Sequence, residues 1–230
     1  MSVLVMSDKY QEFVDSLKCL GHTIICTDVI DNLLFPEQKH ADMQILKLND
    51  TFFILKECQN LKFRIKEYNL IECAKNVGKT YPENILLNYL FINNKLFGKI
   101  NSMDYVLKNF CYKNQIKTVN VNQGYSRCST LAISDNAVIT ADESINKTLS
   151  ENGVEVLKIS AGSIKLDGFD YGFIGGASGV IDDTVVFFGN VTKHPDYIMI
   201  KEFCSKHNKI IKIISPELPL TDIGGIVKIR

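Results

Sequence analysis

The chain repeats one pattern about five times, and its two ends read as the halves of a single copy. Each copy has two strands joined by a short polar turn, then an amphipathic helix, then a further strand. One copy runs from CSTLAISDNAVITAD through ESINKTLSENG to VEVLKIS, and the next from GVIDDTVVFFGN through PDYIMIKEFCSKHN to KIIKIIS. An earlier copy runs from NILLNYLFINNKLFGK through MDYVLKNFCYKNQ to IKTVNV. The first opens with HADMQILKLNDTFFILKE and has a shorter helix behind it. Comparable positions fall at His40, Glu83, Cys128, Gly175 and Gly225, a period of roughly 43 to 50 residues that marks a radial or stacked repeat architecture.

The fifth copy is divided between the termini. DIGGIVKIR ends the chain as a strand with nothing after it, and MSVLVMSD opens it as a strand with nothing before it. Joined, they complete a module with YQEFVDSLKCLG and HTIICTDV. Pairing the last strand beside the first removes an open sheet edge. The expected fold is α/β, a five-module ring of the α/β-propeller kind closed by its own ends, in one domain spanning residues 1–230.

Composition narrows the function. Lys and Arg number 26 and Asp and Glu 26, interspersed, so no basic stripe offers itself to nucleic acid. No apolar run approaches the ~20 residues that span a bilayer. MSVLVMSDKYQ carries no basic n-region. Seven cysteines, none in a CxxC pair, read as reduced thiols and not as a disulfide framework or a zinc site. The expectation is a cytoplasmic protein with no metal, no organic cofactor and no membrane or nucleic-acid partner.

In a ring of such modules the first strands converge on the axis, so the residues that open them meet. Those openings include His40-Ala41-Asp42, Tyr81 to Asn84, Arg127 to Thr130, Gly175-Gly176 and Asp222 to Gly225. A cysteine attacks as the thiolate and needs a neighbouring base or cation. A histidine serves that need and then acts as general acid and base. Read as a strand, HADMQ sets His40 and Asp42 on one face. Bland roles compete. A free cysteine is a common buried hydrophobe, and Asp222 can simply shape a turn. His194, before Pro195 and Asp196, reads as a helix-start residue outside the ring.

HADMQILKLNDTFF resembles the His-x-Asp strand, and GYSRCST the Gly-rich nucleophile segment, of the guanidino-group modifying (pentein) superfamily. That superfamily includes arginine and agmatine deiminases, dimethylarginine dimethylaminohydrolases and amidinotransferases. The resemblance implies Cys128 as nucleophile, His40 as acid and base, and Asp42 as a ligand of a small cationic guanidine. Family members carry the cysteine near the C-terminus, so this chain would open the ring elsewhere. Isoleucine stands before both glycine pairs, where the deiminases place a Glu, and Asp222 is the available substitute.

Two functions follow as expectations. One is a cysteine-dependent hydrolase or amidino transferase working through a covalent thiouronium. The other is a catalytically silent pentein-fold ring that binds or scaffolds, because fold alone does not establish chemistry. Asp31 to Lys39 and Ala161 to Gly172 are the loops expected to set specificity.

Overall fold

Four two-residue turns built from Asn and Asp organise the chain: Asn49-Asp50, Asn93-Asn94, Asp135-Asn136 and Asp182-Asp183. Asn49, Asn93, Asn94 and Asp182 take positive φ, which these short polar side chains tolerate and tight hairpins require. Each turn returns the chain directly onto the preceding strand, with Leu48 opposite Thr51 and Ile92 opposite Lys95.

The computed structural model describes residues 1–230. In chain order the elements begin with β1 (Val3–Met6), α1 (Gln11–Cys19) and β2 (Thr23–Cys26). They continue with α2 (Ala41–Gln44), β3 (Ile45–Leu48), β4 (Thr51–Ile54), α3 (Gln59–Arg64) and β5 (Asn69–Glu72). Next come β6 (Leu90–Ile92), β7 (Lys95–Gly98), α4 (Tyr105–Lys113) and β8 (Lys117–Asn120). The following module holds β9 (Thr130–Ser134), β10 (Ala137–Thr140), α5 (Glu143–Glu151) and β11 (Glu155–Lys158). The last elements are β12 (Ser178–Ile181), β13 (Thr184–Asn190), α6 (Tyr197–Lys206), β14 (Ile210–Pro219) and β15 (Ile226–Lys228).

These strands form five three-stranded sheets of one design. The first strand pairs antiparallel with the second, and the second pairs parallel with the third across a helix. The fifth sheet is assembled from both ends: β15 lies antiparallel to β1, with Val5 opposite Val227, and β1 lies parallel to β2.

Burial explains the order. Middle strands β4 and β10 are buried along their whole length, whereas the third strands β8 and β11 carry exposed Lys, Thr and Asn at the sheet edge. The helices cover the sheets through short apolar stripes, such as Phe13, Val14 and Leu17 on α1. Asp142 starts α5 by accepting the Ile145 N–H at 2.9 Å, a cap worth about 1 kcal/mol. His194 sits just before α6 and accepts the Asp196 N–H through Nδ1, so it belongs to the helix start.

All five first strands, β3, β6, β9, β12 and β15, line one central cavity of ≈ 250 Å³. β12 packs against both β9 and β15, and β15 packs against β3. Their opening ends therefore lie together.

Two local expectations are corrected. His40 and Asp42 are not on a strand: Ala41–Gln44 forms one helical turn with His40 at its N-cap, and β3 begins only at Ile45. The inner strand of the second module begins at Leu90, several residues after Glu83, because residues 81–87 are taken up by turns. The residue poised before that strand is Asn88.

Candidate active site

Three segments meet at the strand openings. His40 and Asp42 come from the turn of α2, Cys128 from the turn two residues before β9, and Asp222 from the approach to β15. One donor atom each of His40, Asp42 and Cys128 lies within 4.8 Å of the others. Asp222 Oδ1 is 3.8 Å from His40 Nδ1. All four side chains named from sequence are thus in one place, and all four are buried.

Backbone contacts hold them. The Asp42 N–H donates to the Gly224 carbonyl at 3.1 Å, which ties α2 to the C-terminal module. Asp222 accepts the Gly224 N–H through Oδ1 at 3.0 Å and the Phe173 N–H through Oδ2 at 2.9 Å. The glycine pairs allow this proximity. A Cβ on Gly176 would stand 1.9 Å from Asp222 Oδ1, and one on Gly224 would stand 2.3 Å from His40 Cβ. Gly224 also takes φ +79°, which costs a non-glycine residue further strain.

Asn88, which sequence reasoning passed over, is the hub. Its side chain is fully buried and donates through Nδ2 to Cys128 Sγ at 2.9 Å. Its Oδ1 accepts the N–H groups of Arg127 at 2.9 Å and Cys128 at 3.2 Å. One amide therefore shapes the cysteine turn and points a donor at the sulfur. The available signal was its place two residues before an inner strand, the place Cys128 has in the next module.

Glu37 was also missed. It is buried on the 31–39 loop, with Oε2 unpartnered, and lies beside Tyr125. Tyr125 stacks between Tyr81 and Phe173, and its hydroxyl accepts from Asn84 at 2.6 Å. Nothing in Pro-Glu-Gln-Lys distinguishes Glu37 from a solvent-exposed acid before folding.

The electrostatics favour neutral groups. Burial, with the Asp222 charge behind it, pushes the Asp42 carboxyl up to about 8. Burial lifts Glu37 to about 7. Burial also raises the Cys128 thiol well above its ordinary value, reinforced by Asp42 and Asp222, while the Asn88 donor opposes it. His40 is driven down by burial against the pull of Asp222. No N–H or O–H group donates to either oxygen of Asp42, and the Cys128 thiol is its hydrogen-bonding neighbour.

A stability consequence follows. Folding favours protonated Asp42, so its contribution is complete below the ordinary 3.8 and is lost as pH rises toward about 8. Glu37 has the same sign between 4.5 and about 7. Asp42→Asn, which cannot ionise, is expected to flatten the decline in Tm between pH 5 and pH 8. An Asn variant whose Tm falls as steeply as wild type would refute this.

His40, Asp42 and Cys128 are also a donor set of the kind that ligates a metal ion. Binding an ion would require both the thiol and the carboxyl to lose their protons.

These modules share the fold of solved dimethylarginine dimethylaminohydrolase, agmatine deiminase and amidinotransferase structures. A family model described as a family of unknown function, DUF6873, matches residues 4–227, and the chain belongs to that family. No curated protein matches the sequence. Among solved structures, a mutant of DDAH from Pseudomonas aeruginosa complexed with citrulline aligns with a TM-score of 0.58 at 10% identity, covering 99% of this chain and 98% of that one. C. jejuni agmatine deiminase with substrate bound aligns at 0.58 and 9% identity, covering 99% and 92%. An amidinotransferase from Microseira wollei aligns at 0.57 and 9% identity, covering 96% and 78%. At these identities the likeness is one of fold. No helix is long and apolar enough to cross a membrane.

Proposed function

We propose that this chain is a cysteine-dependent enzyme acting on a guanidine or amidine C–N bond, as a hydrolase or an amidino transferase. The observation that carries the reading is Asp42: a fully buried carboxyl that no N–H or O–H group reaches, set against the Cys128 thiol and an imidazole. A buried acid without such donors costs free energy, and a cationic planar group offers them. The kinship of the fold with guanidine-modifying enzymes supports the same substrate class. We also read the five sheets as a closed ring around the central cavity, in one domain.

In the resting site burial favours the uncharged forms of Asp42, Cys128 and His40, so the substrate's own charge is the trigger. Asp42 gives up its proton to solvent as a guanidinium binds beside it, and that cation favours the Cys128 thiolate by offsetting the charges of Asp42 and Asp222. The thiol proton passes to His40, and Cys128 Sγ forms a bond to the central carbon. His40, with Asp222 3.8 Å from its Nδ1, returns that proton to the departing amine as the C–N bond breaks. His40 then takes a proton from water as its oxygen attacks the thiouronium carbon, and the C–S bond breaks to restore the thiol. An amine in place of water gives transfer.

One observation favours the silent-ring reading. His40, Asp42, Cys128 and Asp222 expose 3%, 1%, 3% and 2% of their surfaces, so a ligand enters only if the cover moves. That cover includes Tyr125, Phe173 and the 31–39 and 161–172 loops, where Pro36 lies against Gly168.

Alkylation by 2-chloroacetamidine, read by peptide mass spectrometry after treatment with a chelator, separates the readings. Cys128 is expected to react faster than the other six thiols, added guanidines should protect it, and His40→Ala should slow it. Slow labelling that guanidines do not affect would leave a packing cysteine in a binding protein. Fast labelling that appears only after chelation would point to a metal site.

A further inference from the structure

The central cavity, on the other side of the Cys128 turn, carries charge that the proposed chemistry does not use. Its walls come from equivalent positions on the five inner strands: Lys47 of β3, Phe91 of β6, Ala132 of β9, Val180 of β12 and Lys228 of β15. Each of the five is only partly buried. Three of the positions are apolar and two are cationic. Arg127, the residue before Cys128, adds a third cation to the lining.

These cations lack sufficient counter-charge. Arg127 donates to the carbonyls of Thr130 and Ile226, at 3.4 and 3.3 Å; it makes no ion pair, although its charge is felt at Asp42. Lys47 Nζ donates to the Lys228 carbonyl at 3.2 Å and lies over the Phe52 ring, also without an ion pair. Its nearest acid by charge effect is Asp50, and burial together with Lys228 disfavours its charged form. Only Lys228 is neutralised, by Asp182. Cations that share one partly open cavity repel one another, and an anion bound among them offsets that repulsion. The remaining lining is mostly hydrophobic, including Ile45, Leu131 and Ile226.

The mouth is open to a ligand. A second cavity of ≈ 570 Å³ shares Phe91, Ala132 and Val180 with the first and extends to the hairpin turns at Asn49, Asn93 and Asp135. The two cavities therefore adjoin at Phe91, Ala132 and Val180, and no residue of the 31–39 or 161–172 loops lines either of them.

We infer that the central cavity is a second ligand site, for a small organic carboxylate whose head pairs with Arg127 and Lys47 and whose short apolar body lies against Phe91, Ala132 and Val180. The Arg fork matches a carboxylate in two parallel hydrogen bonds. A volume of ≈ 250 Å³ suits an acid of a few carbons, below the size of ordinary cofactor pockets. The site does not require the thiol to be catalytic.

Calorimetric titration of the full chain at low ionic strength with acetate, butyrate and inorganic phosphate tests it. Saturable binding is expected, tighter for butyrate than for acetate or phosphate. Arg127→Met and Lys47→Met should each weaken butyrate at least about tenfold, the loss expected of a charge-assisted bond. Ala132→Phe fills the cavity from a wall that carries no charge and should block butyrate with all three cations in place, which guards against a folding defect in the Arg127 variant. No saturable binding, equal affinity for acetate and butyrate, phosphate as tight as butyrate, or unchanged binding in both charge variants would overturn the inference.

Discussion

Cys128→Ser is expected to reduce guanidine turnover by a factor on the order of 10³ or more, with little change in the fold. Serine nearly matches cysteine in size, and its backbone N–H still reaches Asn88 Oδ1. Its hydroxyl is a far weaker acid than a thiol, and the site penalises even the thiolate through burial and two nearby carboxyl groups. Activation by a bound cation does not close that additional gap. Release of ammonia or amine from a panel of guanidines measures the effect, and thermal melting checks the fold. A serine variant that retains a tenth of the wild-type rate would remove Cys128 from the role of nucleophile.

Asn88→Leu is expected to be the most damaging single change near the site, costing about 3 kcal/mol, because a buried and a part-buried backbone N–H both lose their acceptor. For a chain of this size that corresponds to a fall in Tm of roughly 6–12 °C. The donor to Cys128 Sγ disappears as well, so alkylation of whatever folds should slow. Asn88→Asp separates the two functions. It keeps an acceptor for the Arg127 and Cys128 N–H groups but places a negative charge against the sulfur. It should therefore recover much of the melting temperature while alkylating more slowly than wild type. If the Leu variant melts within 2 °C of wild type, a shift below about 1 kcal/mol, Asn88 is not the support of the cysteine turn.

The modules were legible in sequence because each is local. A two-residue Asn/Asp turn, an apolar middle strand and an amphipathic helix leave their patterns within about 45 residues. The pairing of the two ends was legible too, since a lone first strand and a lone last strand each lacked a partner. The candidate site was legible only in part. His40, Asp42, Cys128 and Asp222 are polar or reactive residues at predictable openings, and the structure brings them together. The helical turn at Ala41–Gln44 was misread because four residues carry too little periodicity to distinguish it from a strand.

Asn88 and Glu37 show where sequence alone stops. A buried asparagine looks like any loop asparagine until the cysteine turn folds over it, and its value comes from three hydrogen bonds to residues about 40 positions away. Glu37 becomes unusual only through burial beside Tyr125 and other acids. The central cations follow the same rule: Lys47, Arg127 and Lys228 are scattered in the chain and share one cavity only because the inner strands converge. Sequence by itself determined the repeated sheet unit, the use of both ends in one sheet and the residue types available for thiol chemistry. Tertiary structure decided which of those residues meet, which are stripped of water, and which charges are left without partners. Those properties depend on distance and burial across modules, and neither has a signature along the chain.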